Sequence, residues 1–202
     1  MADTQTLEKP ADQKTEHFDV LIVGAGVSGV GAAYHLKEQC PDKSFVVLES
    51  LESFGGTWHM HRYPGIRSDS DMHTLGYSFK PWTEAKAIAD GPSIRKYVRE
   101  TAAEHGVTER IQFETKVVAA DWSSQTDTWT VTLEHSGARE TVTCRFLFMC
   151  GGYYNYDKGY LPEFEGYEDF KGECIHPQHW PENLDYSGKK VLVIGSGATA
   201  MT

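Results

Sequence analysis

The stretch "VLIVGAGVSGVGAAYHL", Val20 to Leu36, decides the fold. It opens with an apolar run rich in β-branched residues, which predicts a buried strand, and continues into a pattern that predicts a helix. Between the two, Gly24, Gly26 and Gly29 satisfy G-x-G-x-x-G. Glycines at this spacing, after a strand and at the opening of a helix, indicate the first turn of a Rossmann-like, dinucleotide-binding fold.

Each of these glycines has its own predicted role. Gly24 permits the tight turn, Gly26 lets the backbone approach a pyrophosphate, and Gly29 allows the helix to pack on the strand. The pyrophosphate is then held by the N–H groups at the helix N-terminus. The next predicted strand, "KSFVVLES", carries Glu49 about 20 residues beyond Gly29, where a carboxylate accepts hydrogen bonds from ribose hydroxyls. The pattern does not distinguish FAD from NAD.

Composition narrows the class of protein. The chain has 202 residues, 40% hydrophobic and 24% charged, and its apolar runs are interrupted well short of a membrane span. A net charge of -10 opposes binding to nucleic acid. The first fifteen residues lack the apolar centre of a secretory signal, and Cys40, Cys144, Cys150 and Cys174 form no C-x-x-C pair. We therefore expect a cytoplasmic protein with free thiols, no membrane span and no nucleic-acid partner.

The rest of the chain predicts further strands and helices. Residues 1–15 have no periodic apolar pattern and predict a disordered tail. "KSFVVLES" completes a βαβ unit with parallel strands, and a long loop follows from Ser50 to Pro92. Ser93 is the expected cap of a helix with the apolar stripe Ile94, Tyr97, Val98, Thr101 and Ala102. Three strands with an antiparallel excursion are expected next, in "IQFETKVVAADW", "TWTVTLEH" and "TVTCRFLFMCGG".

A second glycine motif stands near the end of the sequence. "GKKVLVIGSGATAMT", residues 188–202, predicts another strand, turn and helix, and Gly195, Gly197 and Ala200 make G-x-G-x-x-A. Two such sites predict two dinucleotides, for which the simplest chemistry is hydride transfer from a nicotinamide to a flavin. Between the motifs, "GGTW" (Gly55 to Trp58) is either a turn that approaches the cofactor or an ordinary glycine turn.

The stretch "FKGECIHPQHWP" has neither a helical nor a strand period. It resembles the F-x-G-x-x-x-H-x-x-x-W-P fingerprint of Baeyer-Villiger monooxygenases, with matches at Phe170, Gly172, His176, Trp180 and Pro181. The upstream segment "RYPGIRSDSDM" is similar to the ethionamide-activating monooxygenases of mycobacteria. The resemblance extends from about Phe18 to the last residue.

This resemblance implies a fold class and a division of the chain. It implies an α/β protein whose Rossmann-like FAD-binding domain contains a βαβ unit and an antiparallel β excursion. The start of a second Rossmann-like domain, which binds NADP, follows. The FAD-binding domain is expected over 16–155, to be completed by later chain, with a linker that carries the fingerprint over 156–185 and the start of the NADP-binding domain over 186–202.

The resemblance also implies roles for individual residues. FAD is expected at Gly24, Gly26, Gly29, Glu49, Gly56, Thr57 and Trp58, with Val118 near the adenine and Gly151 in a turn after a strand. NADPH is expected at Gly195 and Gly197. Asp69 matches a catalytic carboxylate near the flavin that pairs with an arginine outside this sequence. From the residues alone, a helix cap or a solvated loop residue is the alternative for Asp69.

The implied activity is the FAD-dependent, NADPH-consuming insertion of one oxygen atom of O2 next to a ketone carbonyl, giving an ester or lactone, with sulfide substrates left open. The fingerprint is expected to position the two domains rather than to transfer protons. Two alternatives stay open. One is a flavin monooxygenase that oxygenates sulfur or nitrogen. The other is a truncated, non-catalytic FAD-binding fragment, because Thr202 falls inside the first helix of the second nucleotide-binding unit.

Two further groups of residues have simpler interpretations. Cys174, His176 and His179 have no fourth ligand at a sensible spacing, so no metal site is predicted. The three tyrosines between positions 153 and 156 are interpreted as packing of a connecting segment rather than as a substrate cage.

Overall fold

One mixed sheet organises the chain in the computed structural model, which describes residues 15–202. Its strands are β1 (Glu16–Val23), β2 (Phe45–Leu48), β3 (Ile111–Gln112), β4 (Thr115–Ser123), β5 (Thr128–His135) and β6 (Ala138–Met149). The helices are α1 (Val27–Gln39), α2 (Thr57–Met60), α3 (Met72–Leu75), α4 (Gly91–Glu104) and α5 (Ala198–Met201). The strand order is β3-β2-β1-β6-β5-β4. Residues 1–14 of the predicted tail lie outside the described residues.

The parallel half of the sheet contains the predicted βαβ unit. β1 pairs in parallel with β2, where Val20 lies beside Phe45, and with β6, where Val20 lies beside Phe146. All four residues of β2 are buried, as expected of a parallel strand covered on both faces. The Rossmann-like fold class predicted from the sequence is therefore confirmed.

The antiparallel half is the predicted excursion. β4, β5 and β6 form a meander, and β6 also pairs with β1, so one long strand belongs to both halves. The prediction of a single strand over "IQFETKVVAADW" is wrong. The chain breaks at Glu114, where φ is 53°, and β3 pairs in parallel with β2 whereas β4 pairs antiparallel with β5.

The core lies on both faces of the sheet because successive side chains of a strand point to opposite sides. Ile22 of β1 is fully buried in the cluster that includes α1 and α4. Its neighbour Leu21 is fully buried on the opposite face, with Val131 of β5 and Cys144 of β6. β1 is therefore the central strand of the fold.

Helix α4 has the predicted buried stripe, but its cap is a different residue. Ile94, Tyr97, Val98, Thr101 and Ala102 are all buried. The prediction that Ser93 caps the helix is wrong: Asp90 is the N-cap, and its Oδ1 accepts a hydrogen bond from the backbone N–H of Ser93 at 2.9 Å. Pro92 follows within the first turn, where its missing N–H costs nothing.

The predicted long loop and the last predicted strand both have a different secondary structure from the one expected. The loop from Ser50 to Pro92 contains the short helices α2 and α3. The strand predicted within 188–195 does not form, although α5 does, and Val191 to Ile194 stay 62% to 84% exposed. A parallel strand requires a neighbour to accept and donate hydrogen bonds, and none of the described residues supplies one here. The domain boundaries at 155 and 185 stay predictions.

Within residues 15–202, no helix combines the length and the apolar character that crossing a membrane requires.

Candidate functional site

The loop between β1 and α1 is closely packed around its glycines. Gly24 has φ of 101°, and a Cβ at this position would lie 2.6 Å from the carbonyl oxygen of Cys150. A Cβ on Gly29 would lie 1.8 Å from the carbonyl oxygen of Gly24. Both positions therefore exclude any side chain, so α1 begins directly against the end of the sheet.

A second glycine turn faces this loop. The N–H of Gly55 donates to the carbonyl oxygen of Ala25 at 3.2 Å. Gly56, with φ of 49°, is the N-cap of α2, and a Cβ built on it would lie 3.5 Å from the Cα of Gly26. "GGTW" is therefore not an isolated turn, because it forms the second wall of the space in front of the first loop.

Glu49 lies at the base of this space. The side chain is buried, and its Oε2 accepts from the N–H of Ala25 at 2.7 Å while its Oε1 accepts from the N–H of Leu51 at 2.9 Å. Its backbone is held by the start of β4, since the N–H of Thr115 donates to the Glu49 carbonyl oxygen. The carboxylate is therefore held at a fixed position beside the glycine loop.

These groups form a cradle with the chemistry of a dinucleotide site. The N-cap of α1 is Gly26, which has no side chain to satisfy the amides of the first turn. Those amides and the positive end of the helix favour a phosphate. The absence of Cβ atoms at Gly26 and Gly56 leaves room for it, and the nearby carboxylate is a suitable acceptor for ribose hydroxyls. The residues fit a bound dinucleotide.

The other residues predicted at FAD lie at different distances from the cradle. Thr57 and Trp58 are half-buried in the first turn of α2, next to Gly56. Gly151 adjoins Gly24, whose Cβ would lie 3.3 Å from the Gly151 Cα. Val118 lies at a register shift in β4 and is 38% exposed. The structure therefore joins all of these except Val118 directly to the cradle.

The side chain of Asp69 is exposed, and the residue lies two positions before the N-cap of α3. The pKa of Tyr154 is raised to about 12, chiefly by its hydrogen bond to Tyr153 and by burial, with added contributions from Tyr63 and Asp69. The helix cap nearby is Asp71, whose Oδ1 accepts from the N–H of Thr74 at 3.0 Å. Asp69 is thus close to Tyr154, and the capping role belongs to Asp71.

The fingerprint residues pack locally rather than as one cluster. A Cβ on Gly172 would lie 2.5 Å from Cζ of Phe170, so this ring folds back over the glycine. The His176 ring lies over Gly159, where a Cβ would come within 2.3 Å of the ring Cε1. Its Nδ1 accepts from the N–H of Gln178 at 3.2 Å. Pro181 is exposed and its carbonyl oxygen accepts from the N–H of Leu184 at 3.2 Å.

A cavity of about 970 Å³ lies between α2 and the end of the fingerprint. Its aromatic walls include Trp58 and Trp180, and the ring of Tyr186 packs against that of Trp180 at 5.9 Å. The cationic side chains that line it are Arg62, Arg67, Lys86 and Arg95. An ion pair between Arg62 Nη1 and Glu182 Oε1, 2.6 Å long, joins the two sides. The sequence did not predict these cations, because their only signal is proximity across long separations.

Two residues of the predicted linker, Tyr156 and Gln178, were misinterpreted or missed. The hydroxyl oxygen of Tyr156 lies 3.1 Å from where a Cβ of Gly56 would be, so this residue reaches the cradle and is not simply packing of a connection. Gln178, inside the fingerprint, is buried, and its Nε2 donates to the carbonyl oxygen of Asn155 at 2.7 Å. The run of tyrosines was the available signal for Tyr156, whereas Gln178 is one of the unspecified positions of the fingerprint.

The second glycine motif forms no comparable cradle in this structure. Gly195 has φ of 155°, and Gly197 is the N-cap of α5 with open space around it. The end of this segment lies against Gly65, a residue that lines the cavity: a Cβ on Gly65 would lie 2.8 Å from the carbonyl oxygen of Thr202. Among residues 15–202, no three acidic, histidine or cysteine side chains are arranged to hold a metal ion.

The fold and the first site define a dinucleotide-binding α/β protein. A comparison with protein families narrows this class, because the model of the family described as flavin-binding monooxygenase-like (FMO-like) matches residues 17–202. The chain belongs to this family.

Several curated relatives are similar over nearly the whole chain. The FAD-containing monooxygenase EthA of Mycolicibacterium smegmatis is 60% identical over 188 residues, and the putative FAD-containing monooxygenase MymA of Mycobacterium tuberculosis is 58% identical over 189. Each alignment covers 93% of this chain and 38% of the relative. The chain therefore spans well under half the length of the curated relatives that it matches.

Solved structures lead to the same family. A cyclohexanone-bound cyclohexanone monooxygenase matches with a TM-score of 0.80 and 28% identity, covering 93% of this chain and 36% of the other. A steroid monooxygenase bound to NADP matches with a TM-score of 0.78 and 30% identity, covering 91% and 35%. The resemblance predicted from the fingerprint is confirmed by these comparisons.

Proposed function

We propose that the protein is an FAD-dependent, NADPH-consuming monooxygenase that converts a ketone into an ester or lactone. One atom of O2 enters the product next to the carbonyl, the other leaves as water, and NADPH with a proton supplies the two electrons and two protons. The observation that carries the proposal is that Trp58, beside the cofactor cradle, and Trp180, of the Baeyer-Villiger fingerprint, line one cavity. A matched solved structure is of a monooxygenase with bound cyclohexanone, which is a ketone.

In this proposal the first cradle holds FAD. The amides at the start of α1 and the turn at Gly55 and Gly56 hold the pyrophosphate, and Glu49 accepts hydrogen bonds from the ribose. NADPH is proposed to bind at Gly195 and Gly197, and the support for this is the G-x-G-x-x-A spacing, since these residues form no cradle in the structure. The chemistry that bound FAD supplies is the acceptance of hydride from NADPH and the activation of O2. The protein residues orient both nucleotides and keep water from the reacting atoms.

Asp69 is proposed to orient a cation near the reacting carbonyl. When oxygen adds to the ketone carbonyl carbon, negative charge develops on the carbonyl oxygen. A cation held nearby stabilises that charge. Asp69→Asn should lower kcat for ester formation by about tenfold or more, with FAD still bound. Asp121→Asn, an exposed change on β4, is the control and should leave kcat unchanged.

The test uses the protein at its natural length with NADPH and 18O-labelled O2 against a panel of ketones, sulfides and amines. The expected product from a ketone is an ester or lactone that contains one labelled oxygen atom. Formation of sulfoxides or N-oxides alone, with every ketone returned unchanged, would refute the proposal in favour of an S- or N-oxygenating enzyme. We further propose a cytoplasmic location, supported by four cysteines that are all unpaired in the structure.

A further inference from the structure

The side chain of Tyr156 enters the space between the two glycine turns. A Cβ on Gly56 would lie 3.1 Å from the Tyr156 hydroxyl oxygen and 3.5 Å from the Cα of Gly26. The phenol therefore approaches Gly56 near Gly26, the position at which the Rossmann motif brings backbone to a pyrophosphate. Apart from its chain neighbours Gly55 and Thr57, no other described side chain comes as near to a Cβ built on Gly56.

The Tyr156 hydroxyl is a neutral donor in this position. Burial raises the pKa of Tyr156, and the negative charge of Glu49 adds to the rise, so the phenol keeps its proton at neutral pH. Within residues 15–202 no hydrogen bond joins this hydroxyl to an acceptor, and its oxygen is not among the fully buried unpaired ones, so it stays accessible to a ligand. The residue as a whole is half-buried, which limits the directions in which the hydroxyl can point.

The fingerprint holds the backbone on which this phenol is mounted. The buried Gln178 donates from Nε2 to the carbonyl oxygen of Asn155 at 2.7 Å and to that of Tyr156 at 3.3 Å. On the other side, Lys116 of β4 pairs with Asp157 at 2.9 Å. Because both partners of this ion pair are exposed, it contributes little, and the buried contact from Gln178 is the one that holds the segment.

We propose that Tyr156 donates a hydrogen bond to a phosphate oxygen of bound FAD, and that Gln178 is a positioning residue that holds Tyr156 there. The fingerprint would then be linked to the cofactor through one side chain and one backbone segment. The inference rests on the proposed binding of FAD to this cradle, but not on the reaction that the flavin carries out.

The first test is the FAD affinity of Tyr156→Phe in the protein at its natural length. Loss of one hydrogen bond to a charged group should raise the Kd for FAD about tenfold. Apo-protein is titrated with FAD and followed by flavin fluorescence. Tyr160→Phe is the matched control, because the Tyr160 side chain is 85% exposed, and it should bind FAD like the wild type. An unchanged or tighter Kd for Tyr156→Phe would overturn the proposal.

The role of Gln178 is tested by two variants and their combination with the first. Gln178→Glu keeps the shape but removes the donor, and Gln178→Ala removes both, so each should weaken FAD binding. In the Tyr156→Phe background neither should weaken it further, because Gln178 acts through the phenol. An equal loss of affinity in both backgrounds would show that Gln178 acts on the fold alone, and the thermal midpoint of each apo-protein would reveal such a change.

This test and the test of the proposed function can fail separately. FAD titrations need no substrate, so a wild-type protein that binds FAD but forms only sulfoxides would refute ketone oxygenation and leave the role of Tyr156 standing. Conversely, a Tyr156→Phe variant that forms ester and binds FAD with wild-type affinity would refute the role of Tyr156 alone.

Discussion

The three glycines between β1 and α1 carry out different tasks at the scale of single atoms. Gly24 needs its left-handed φ and its lack of a side chain, since Cys150 closes against it. Gly29 has an ordinary helical backbone and is required only because Gly24 lies so near. Gly26 is the least crowded of the three, with its nearest neighbour, the Gly56 Cα, 3.9 Å from a built Cβ. Packing within the described residues therefore does not by itself require a glycine at position 26, which agrees with the proposed approach of a pyrophosphate there.

This difference predicts the effect of Gly29→Ala. The added methyl would meet the carbonyl oxygen of Gly24, so the helix must shift, and we expect the free energy of unfolding to fall by about 3 kcal/mol. Chemical denaturation of the protein measures it. Gly137→Asn is the control: Gly137 has φ of 77° with open space around it, and asparagine tolerates this conformation. A wild-type stability for Gly29→Ala would contradict the packing described for the loop.

Glu49 is predicted to serve both the fold and the ligand. Glu49→Gln keeps the size of the side chain but turns one acceptor into a donor facing the N–H of Ala25 or Leu51. The loss should be about 2 kcal/mol in the free energy of unfolding, because hydrogen bonds to a charged group are the stronger kind. The Kd for FAD should rise as well. Glu140→Gln on the exposed part of β6 is the control, and equal stabilities for the two variants would argue against a fixed carboxylate.

At the scale of elements, the start of α4 offers a direct comparison between two residues. Asp90→Ala removes the side chain that accepts from the Ser93 N–H and should lower the free energy of unfolding by about 1 kcal/mol. Ser93→Ala keeps that N–H and should cost much less, while Asp90→Asn, which still caps, should lie near the wild type. Thermal unfolding of the three variants ranks them. A larger loss of stability in Ser93→Ala than in Asp90→Ala would show that Ser93, not Asp90, caps the helix.

Elements with a strong local signal were predictable from the sequence, and those that depend on distant partners were not. β1, α1 and α4 follow from periodicity and from the glycine spacing, which act within one segment. The break at Glu114 arises because β3 pairs with β2 whereas β4 pairs with β5. Val191 to Ile194 have strand-forming side chains, but no strand among the described residues lies beside them. The same holds at the site, where Gly24 and Glu49 were predictable and the contact of Tyr156 with the cradle was not.

At the scale of the whole molecule, His61 makes stability depend on pH. Burial lowers the pKa of His61 below its usual value of 6.5, and the nearby His176 and His179 lower it further. Between the lowered pKa and 6.5 the unfolded chain binds the proton and the folded chain does not, so stability is full above about 6.5 and is lost as the pH falls.

The predicted acid sensitivity has a simple control. Below pH 6.5 the free energy of unfolding should fall by up to about 1.4 kcal/mol per pH unit from this residue. His61→Gln, whose amide can still donate to the Thr57 carbonyl oxygen that His61 Nδ1 contacts, should show a shallower fall. Denaturant titrations at a series of pH values measure both slopes. Identical slopes for the two proteins would exclude His61 as the titrating group.

The pairing of β1 with β6 also determines when the sheet can form during the protein's synthesis. Contacts such as that between His17 and Thr143 join residues 126 positions apart. On the ribosome, β1 and α1 therefore emerge well before the strand that borders them on one side, and a delay of roughly 6 to 25 s follows from typical elongation rates. During that interval Gly24 has no Cys150 to close against. The loop at Gly24 therefore reaches its final packing only after β6 and Cys150 have been synthesised.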